Sequence, residues 1–206
     1  MDQIYWRIGY LILGAISGTV AVASYSIAMQ ISSFAIFLPT AMHGVFLPKL
    51  SALIASKTGL IEVNNIFCKL GRLQYMFIMC CLVGFILLGK TFITLWVGDS
   101  YASCYLVVII VVFGYILDVS QNVGISILQA MNKHAFRAYV YLGMSILNVI
   151  LSIILGKKYG EIGCAISIAI CLFLGSGLMI NWYYNKVGIN IKIFFTNILK
   201  LSFPLL

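Results

Sequence analysis

The chain has 206 residues, of which 63% are hydrophobic and only 9% charged, with a formal net charge of +8. A soluble domain carries about 25% charged residues and roughly 45–50% apolar ones, so a water-covered fold is excluded. What remains is a protein solvated by lipid, in which every backbone polar group must be satisfied internally by helices or a closed barrel. Barrel strands alternate apolar and polar residues. The apolar runs here are continuous, and the fold class they predict is an all-α, polytopic transmembrane helix bundle.

A membrane span needs about 20 mostly apolar residues. In chain order the predicted spans are Ile4–Ile16, Ala21–Leu47, Leu73–Val97, Cys104–Leu128, Ala138–Leu155 and Ile162–Trp182, with a further run starting near Ile198. The polar breaks between them are Ser17–Val20, Pro48–Arg72, Gly98–Ser103, Ala130–Arg137, Gly156–Glu161 and Tyr183–Lys192. That makes about six spans plus a partial seventh, in one bundle over 1–206. The first and last runs are short for a span, so the sequence is expected to be a piece of a longer protein.

Basic residues alternate between the breaks. Lys49, Lys57, Lys69 and Arg72 share one break; Lys133 and Arg137 lie two breaks later, and Lys186 and Lys192 two after that. Of the other set only the Gly156–Glu161 break is basic, with Lys157 and Lys158. The positive-inside rule then puts the first set in the cytoplasm and Asp99 outside. Charges scattered between spans form no groove for nucleic acid, and none is expected as a partner; the lipid bilayer is. The break Lys49–Arg72 mixes apolar and basic residues and reads as an amphipathic segment on the inner membrane face.

Cys68, Cys80, Cys81, Cys104, Cys164 and Cys171 show no C-x-x-C pairing and read as small packing residues. No zincin, phosphate-loop or nucleophile-elbow motif occurs. The sequence therefore predicts no catalytic residue, no metal site and no cofactor.

Polar residues inside the spans carry the remaining information. Ser26, Gln30, Ser33, Phe37, Thr40 and Gly44 recur every three or four residues and share one helix face. Tyr115, Asp118, Asn122 and Gln129 form a second stripe, and Tyr141, Ser145, Asn148 and Ser152 a third. Such faces turn inward, either to bond between helices or to line a polar cavity. Asp118 lies midway along its span, where a carboxylate costs roughly 2.5–3.5 kcal/mol and usually marks an ion or proton path. Pro39 and Pro48 allow kinks. Lys90 is expected to snorkel, and Trp96 and Tyr101 to sit in the aromatic belt.

Several stretches, in this order, resemble the polysaccharide (O-antigen type) flippases of the multidrug/oligosaccharidyl-lipid/polysaccharide exporter superfamily. They are DQIYWRIGYLILGAISGTVAVASYSIAMQ at Asp2–Gln30, FLPKLS at Phe46–Ser51, LWVGDSY at Leu95–Tyr101, ILQAMNKH at Ile127–His134 and NVILSIILGKKYGEIGCAISIAI at Asn148–Ile170. The resemblance implies the second of two six-helix bundles that enclose a cavity. It implies transport, not enzymatic activity: movement of an undecaprenyl-pyrophosphate-linked oligosaccharide across the bacterial inner membrane, by alternating access as transporters generally use. On that reading Arg7 meets the pyrophosphate, Gln30, Asn122 and Asn148 meet the substrate, and Asp118 couples an ion. A drug or organic-cation antiporter of the same superfamily would want acidic residues in its cavity, which are scarce here. A membrane-embedded glycosyltransferase or polymerase would want a D-x-D motif, and none is present.

Overall fold

The apolar runs all form helix. The computed structural model describes residues 2–55 and 60–202. It has α1 (Asp2–Ile16), α2 (Gly18–Ala55), α3 (Leu60–Trp96), a 3-10 turn at Asp99–Tyr101, α4 (Cys104–Ser120), α5 (Val123–Ala130), α6 (Ala135–Leu172), a π-helical stretch at Phe173–Ile180, α7 (Asn181–Val187) and α8 (Ile191–Ser202). No strand occurs among the described residues. Four stretches are long and apolar enough to cross a membrane: Gly18–Ile54, Ile61–Trp96, Cys104–Ala130 and Ala135–Val187.

The last of these is not one rod. At 1.5 Å per residue its 53 residues would reach roughly 80 Å, against a hydrocarbon core of about 30 Å. It folds back at Gly160, whose φ of 60° and ψ of −134° are non-helical and available to glycine without a Cβ clash. Two antiparallel arms result, 135–159 and 161–187. Gly156 meets Gly163, Ser152 meets Ser167, Met144 meets Gly175, and Phe136 stacks on Tyr183 at 4.2 Å between ring centres. Each pair is centred on the turn at 159–160.

α4 is the inner element and packs against α2, α3 and α6. It is buried on most sides through Val107, Val108, Val111, Val112, Tyr115 and Val119. Gly114 lets it approach the second arm closely, since a Cβ there would lie 2.8 Å from Ala169 Cα. Small residues at such crossings permit the backbone contact on which helix association in lipid depends. Much of the outer surface is apolar: Leu87, Leu88 and Leu95 are 73%, 70% and 83% exposed. Apolar exposure of that extent suits lipid contact rather than water.

The 49–72 region departs from the expected surface segment. Residues 49–55 are the last turns of α2 and 60–72 the first turns of α3; Lys57 lies outside the described residues. Two long helices thus run past their apolar sections. Asn64 anchors their neighbour: its Nδ2 donates to Gly188 O at 3.3 Å, and its Oδ1 accepts from the Asn190 backbone N–H at 2.9 Å.

Candidate functional site

The polar stripe of α2 lies on the outside of the bundle. Ser26, Gln30, Ser33, Thr40 and Gly44 are all exposed, while Ser24, Tyr25, Ala28 and Ser32 on the opposite side are buried. The stripe borders a cleft of about 830 Å³ lined by Tyr10 of α1, Gln30, Ser33, Phe37 and Thr40 of α2, and Tyr115 of α4, among others. Ser33 Oγ donates to Gln30 O at 2.6 Å, and Thr40 Oγ1 donates to Phe37 O at 3.0 Å. Both hydroxyl oxygens keep lone pairs to accept bonds from outside. The lining is mainly apolar, with Met29, Phe34, Ile36 and Phe37 around a few neutral hydrogen-bonding groups.

Phe34 borders this cleft and also a second, apolar groove of about 440 Å³ between α2 and α3. Phe77, Phe85, Leu88 and Phe92 of α3 wall the groove and Val108 and Val112 of α4 floor it. The cleft, with its few hydrogen-bonding groups, and the wholly apolar groove therefore adjoin at one residue.

Below the cleft α2 contains Pro39. Its carbonyl accepts from Gln74 Nε2 at 3.2 Å and from Asn122 Nδ2 at 3.3 Å. One backbone oxygen thus joins α2, α3 and the short break between α4 and α5. Asn122 is 6% exposed and its amide is committed to this junction.

Asp118 sits one turn before that break. Its Oδ1 accepts from Tyr141 Oη at 2.9 Å and Ser176 Oγ at 2.6 Å, and Arg137 Nη2 stands 3.6 Å away. Arg137 Nη2 also donates to Tyr141 Oη at 2.7 Å. The two charged side chains are 13% (Arg137) and 20% (Asp118) exposed. Arg137 therefore belongs to the first turn of α6 and to the bundle interior, where the sequence had placed it in a cytoplasmic break.

Asn148 occupies a third place, between the arms of the hairpin. Its Oδ1 accepts from Ser167 Oγ at 2.8 Å and Ser152 Oγ at 3.3 Å, and the two serines bond each other. At 1% exposure it faces no cleft. Asn148→Ala removes the shared acceptor, and we expect it to lower unfolding stability by about 1–2 kcal/mol, the net value of one or two buried hydrogen bonds. Detergent-induced unfolding of the purified protein measures this; an unchanged midpoint would show that the serine pair suffices alone.

The sequence-predicted residues are thus dispersed. Gln30 lines the cleft, Asp118 joins α4 to both arms, Asn122 holds Pro39, and Asn148 holds the hairpin. Arg7 falls in α1 and its side chain lies outside the described residues. Sequence reading missed the partnership of Arg137 with Asp118, although Arg137 precedes Tyr141 by four residues and continues its stripe. It also missed Ser176, which has no helical periodicity to reveal it because the surrounding turn is π-helical.

Over 180 residues the chain is 24% identical to a protein of Shigella flexneri provisionally named an O-antigen transporter, covering 85% of this chain and 41% of that protein. Over 175 residues it is 28% identical to a protein of Haloferax volcanii provisionally named flippase AglR, covering 82% of this chain and 36% of that protein. The chain thus spans about two fifths of the length of the curated relatives it matches. No family model and no solved structure matches it. The resemblance to flippase-type proteins read from the sequence is borne out by these two relatives. Together with the four apolar stretches they support a multi-pass membrane protein.

Proposed function

We propose that this chain, similar over most of its length to flippase-type transporters, is one bundle of a protein that moves a lipid-linked oligosaccharide across a bacterial inner membrane. The observation that carries the reading is the exposed polar stripe of α2. A hydroxyl- and amide-bearing helix face is costly against lipid, whereas other parts of the outer surface, as at Leu87, Leu88 and Leu95, are apolar. Such a face fits a cavity shared with a second bundle. Sugars are neutral and rich in hydroxyls, and Gln30, Ser33 and Thr40 offer them donors and acceptors. The adjoining apolar groove suits the hydrocarbon part of the same amphiphile, with Phe34 at the boundary. An undecaprenyl-pyrophosphate carrier would also need a cation, and the resemblance gives Arg7 that role.

In this reading the chain contributes about six spans and a partial seventh, with the Lys69 and Arg72 end in the cytoplasm. The hairpin turn at Gly160 supports the count, because it divides the longest apolar stretch into two. An organic-cation antiporter is less well supported: no carboxylate is among the described residues that line the cleft.

The test uses the whole protein in its cell. Depleting it should leave lipid-linked oligosaccharide accessible to a membrane-impermeant glycosidase only in inverted vesicles. Equal accessibility in right-side-out vesicles would overturn the reading.

A further inference from the structure

A carboxylate and a guanidinium in the middle of an apolar bundle are each expensive to insert. Asp118 is the natural place for a small cation from solution to settle. It lies between three elements and has two hydroxyl oxygens, Tyr141 Oη and Ser176 Oγ, within 2.9 Å and 2.6 Å of one carboxylate oxygen. Carboxylate and hydroxyl oxygens are the ligand types hard cations take. Arg137 changes what that arrangement can do. Its guanidinium stands 3.6 Å from the carboxylate, bonds Tyr141 Oη at 2.7 Å and lies 4.9 Å from the centre of the Tyr141 ring. The positive charge is already present, and the Tyr141 hydroxyl, receiving Arg137, directs its proton to Asp118.

Ser176 reaches the carboxylate from the centre of the π-helical stretch Phe173–Ile180. A π-helical turn is uncommon and clusters at functional sites. Here Asn181 Nδ2 donates to Gly177 O at 2.8 Å, a side-chain bond that supports the widened turn. Asp118 of α4, Arg137 and Tyr141 of the first arm and Ser176 of the second arm are thereby held in one arrangement.

We propose that Arg137 is a tethered counter-cation, occupying beside Asp118 the place of a free monovalent cation, and that its removal uncovers a latent small-cation site made by Asp118, Tyr141 and Ser176. Asp118 is then tied to the arrangement of the hairpin and not to a cation gradient. The inference deepens the transport reading by stating what this bundle does not draw from solution, yet its test needs no substrate, so the two can fail separately.

The whole protein is placed in lipid nanodiscs, and its thermal unfolding is followed in sodium chloride and in N-methylglucamine chloride at equal ionic strength, with radioactive sodium binding measured alongside. The native protein should unfold at the same temperature in both salts and bind no sodium that depends on Asp118. Arg137→Ala should lose on the order of 10 °C in N-methylglucamine, as expected when one partner of a buried pair is removed. It should regain much of that loss in sodium and bind about one sodium ion, read as a carboxylate needing one counter-charge. Arg137→Lys, which keeps the charge, should show no sodium response. Sodium binding by the native protein that Asp118→Asn abolishes would overturn the proposal, as would a folded Arg137→Ala that ignores sodium. Should Arg137→Ala not accumulate, the neutral pair Asp118→Asn with Arg137→Gln decides. Its recovery shows that the uncompensated carboxylate was the fault and supports the tether; its failure shows that the pair acts by packing and overturns it.

Discussion

Gly163→Ala is expected to cost more stability than any other single methyl added to the hairpin. Gly163 stands across the turn from Leu155 and Gly156, and an added Cβ would overlap the Leu155 carbonyl and lie 2.9 Å from Gly156 N. These are backbone atoms, so no rotamer change relieves the overlap and the arms must part. Parting them loosens the bonds among Ser152, Ser167 and Asn148 one turn deeper. Overpacking usually costs about 1–3 kcal/mol, and a clash with backbone belongs at or above the top of that range. Gly143→Ala in the first arm is the matched control. Nothing lies within 4 Å of its Cβ position, and exchanging a helix-interior glycine for alanine stabilises by up to about 1 kcal/mol. Unfolding midpoints of the two variants should move in opposite directions. Equal midpoints would mean that the arms are not in contact at Gly163.

The sequence made the helices and their turns legible because lipid leaves the backbone little choice. The expected break at Gly156–Glu161 contains the Gly160 turn, and that at Gly98–Ser103 contains the 3-10 turn. The Lys49–Arg72 break was misread because charge reports depth in the membrane and says little about helicity; lysine and arginine are good helix formers. Periodicity grouped Gln30, Ser33 and Thr40 on one face but did not tell the interior from an outward-facing cleft, since a polar stripe has the same spacing in both. The place of Arg137 was hidden for a different reason. It stands 19 residues from Asp118, and only the packing of α6 on α4 brings the two together. Asn122 and Asn148 looked like equals of Gln30 by residue type, yet Asn122 donates to the Pro39 carbonyl and Asn148 accepts from two serines, which only tertiary geometry shows.

That difference sets the expected behaviour of the cleft. Gln30→Leu combined with Thr40→Val should leave membrane abundance unchanged, because both side chains are exposed and hold no other element in place. Among the described residues, Thr40 Oγ1 bonds within its own helix, to the carbonyls of Ile36 and Phe37. Export of surface glycan by the whole protein should fall by about tenfold or more. Two or three hydrogen bonds to sugar, each worth about 0.5–1.5 kcal/mol, sum to about 1–4.5 kcal/mol, most of which lies above the roughly 1.4 kcal/mol that corresponds to a factor of ten. Arg7→Ala should do the same by another route. A pyrophosphate leaving water needs charge-assisted bonds, and a guanidinium supplies two in parallel where an ammonium supplies a point charge. Arg7→Lys should therefore restore export only in part. Asn148→Ala serves as the contrast, with lowered stability and export reduced only in proportion to the protein lost. Glycan level divided by membrane abundance separates the cases. A normal ratio in the Gln30 and Thr40 variant would remove the α2 stripe from the substrate path, and a low ratio in Asn148→Ala would move the path into the hairpin.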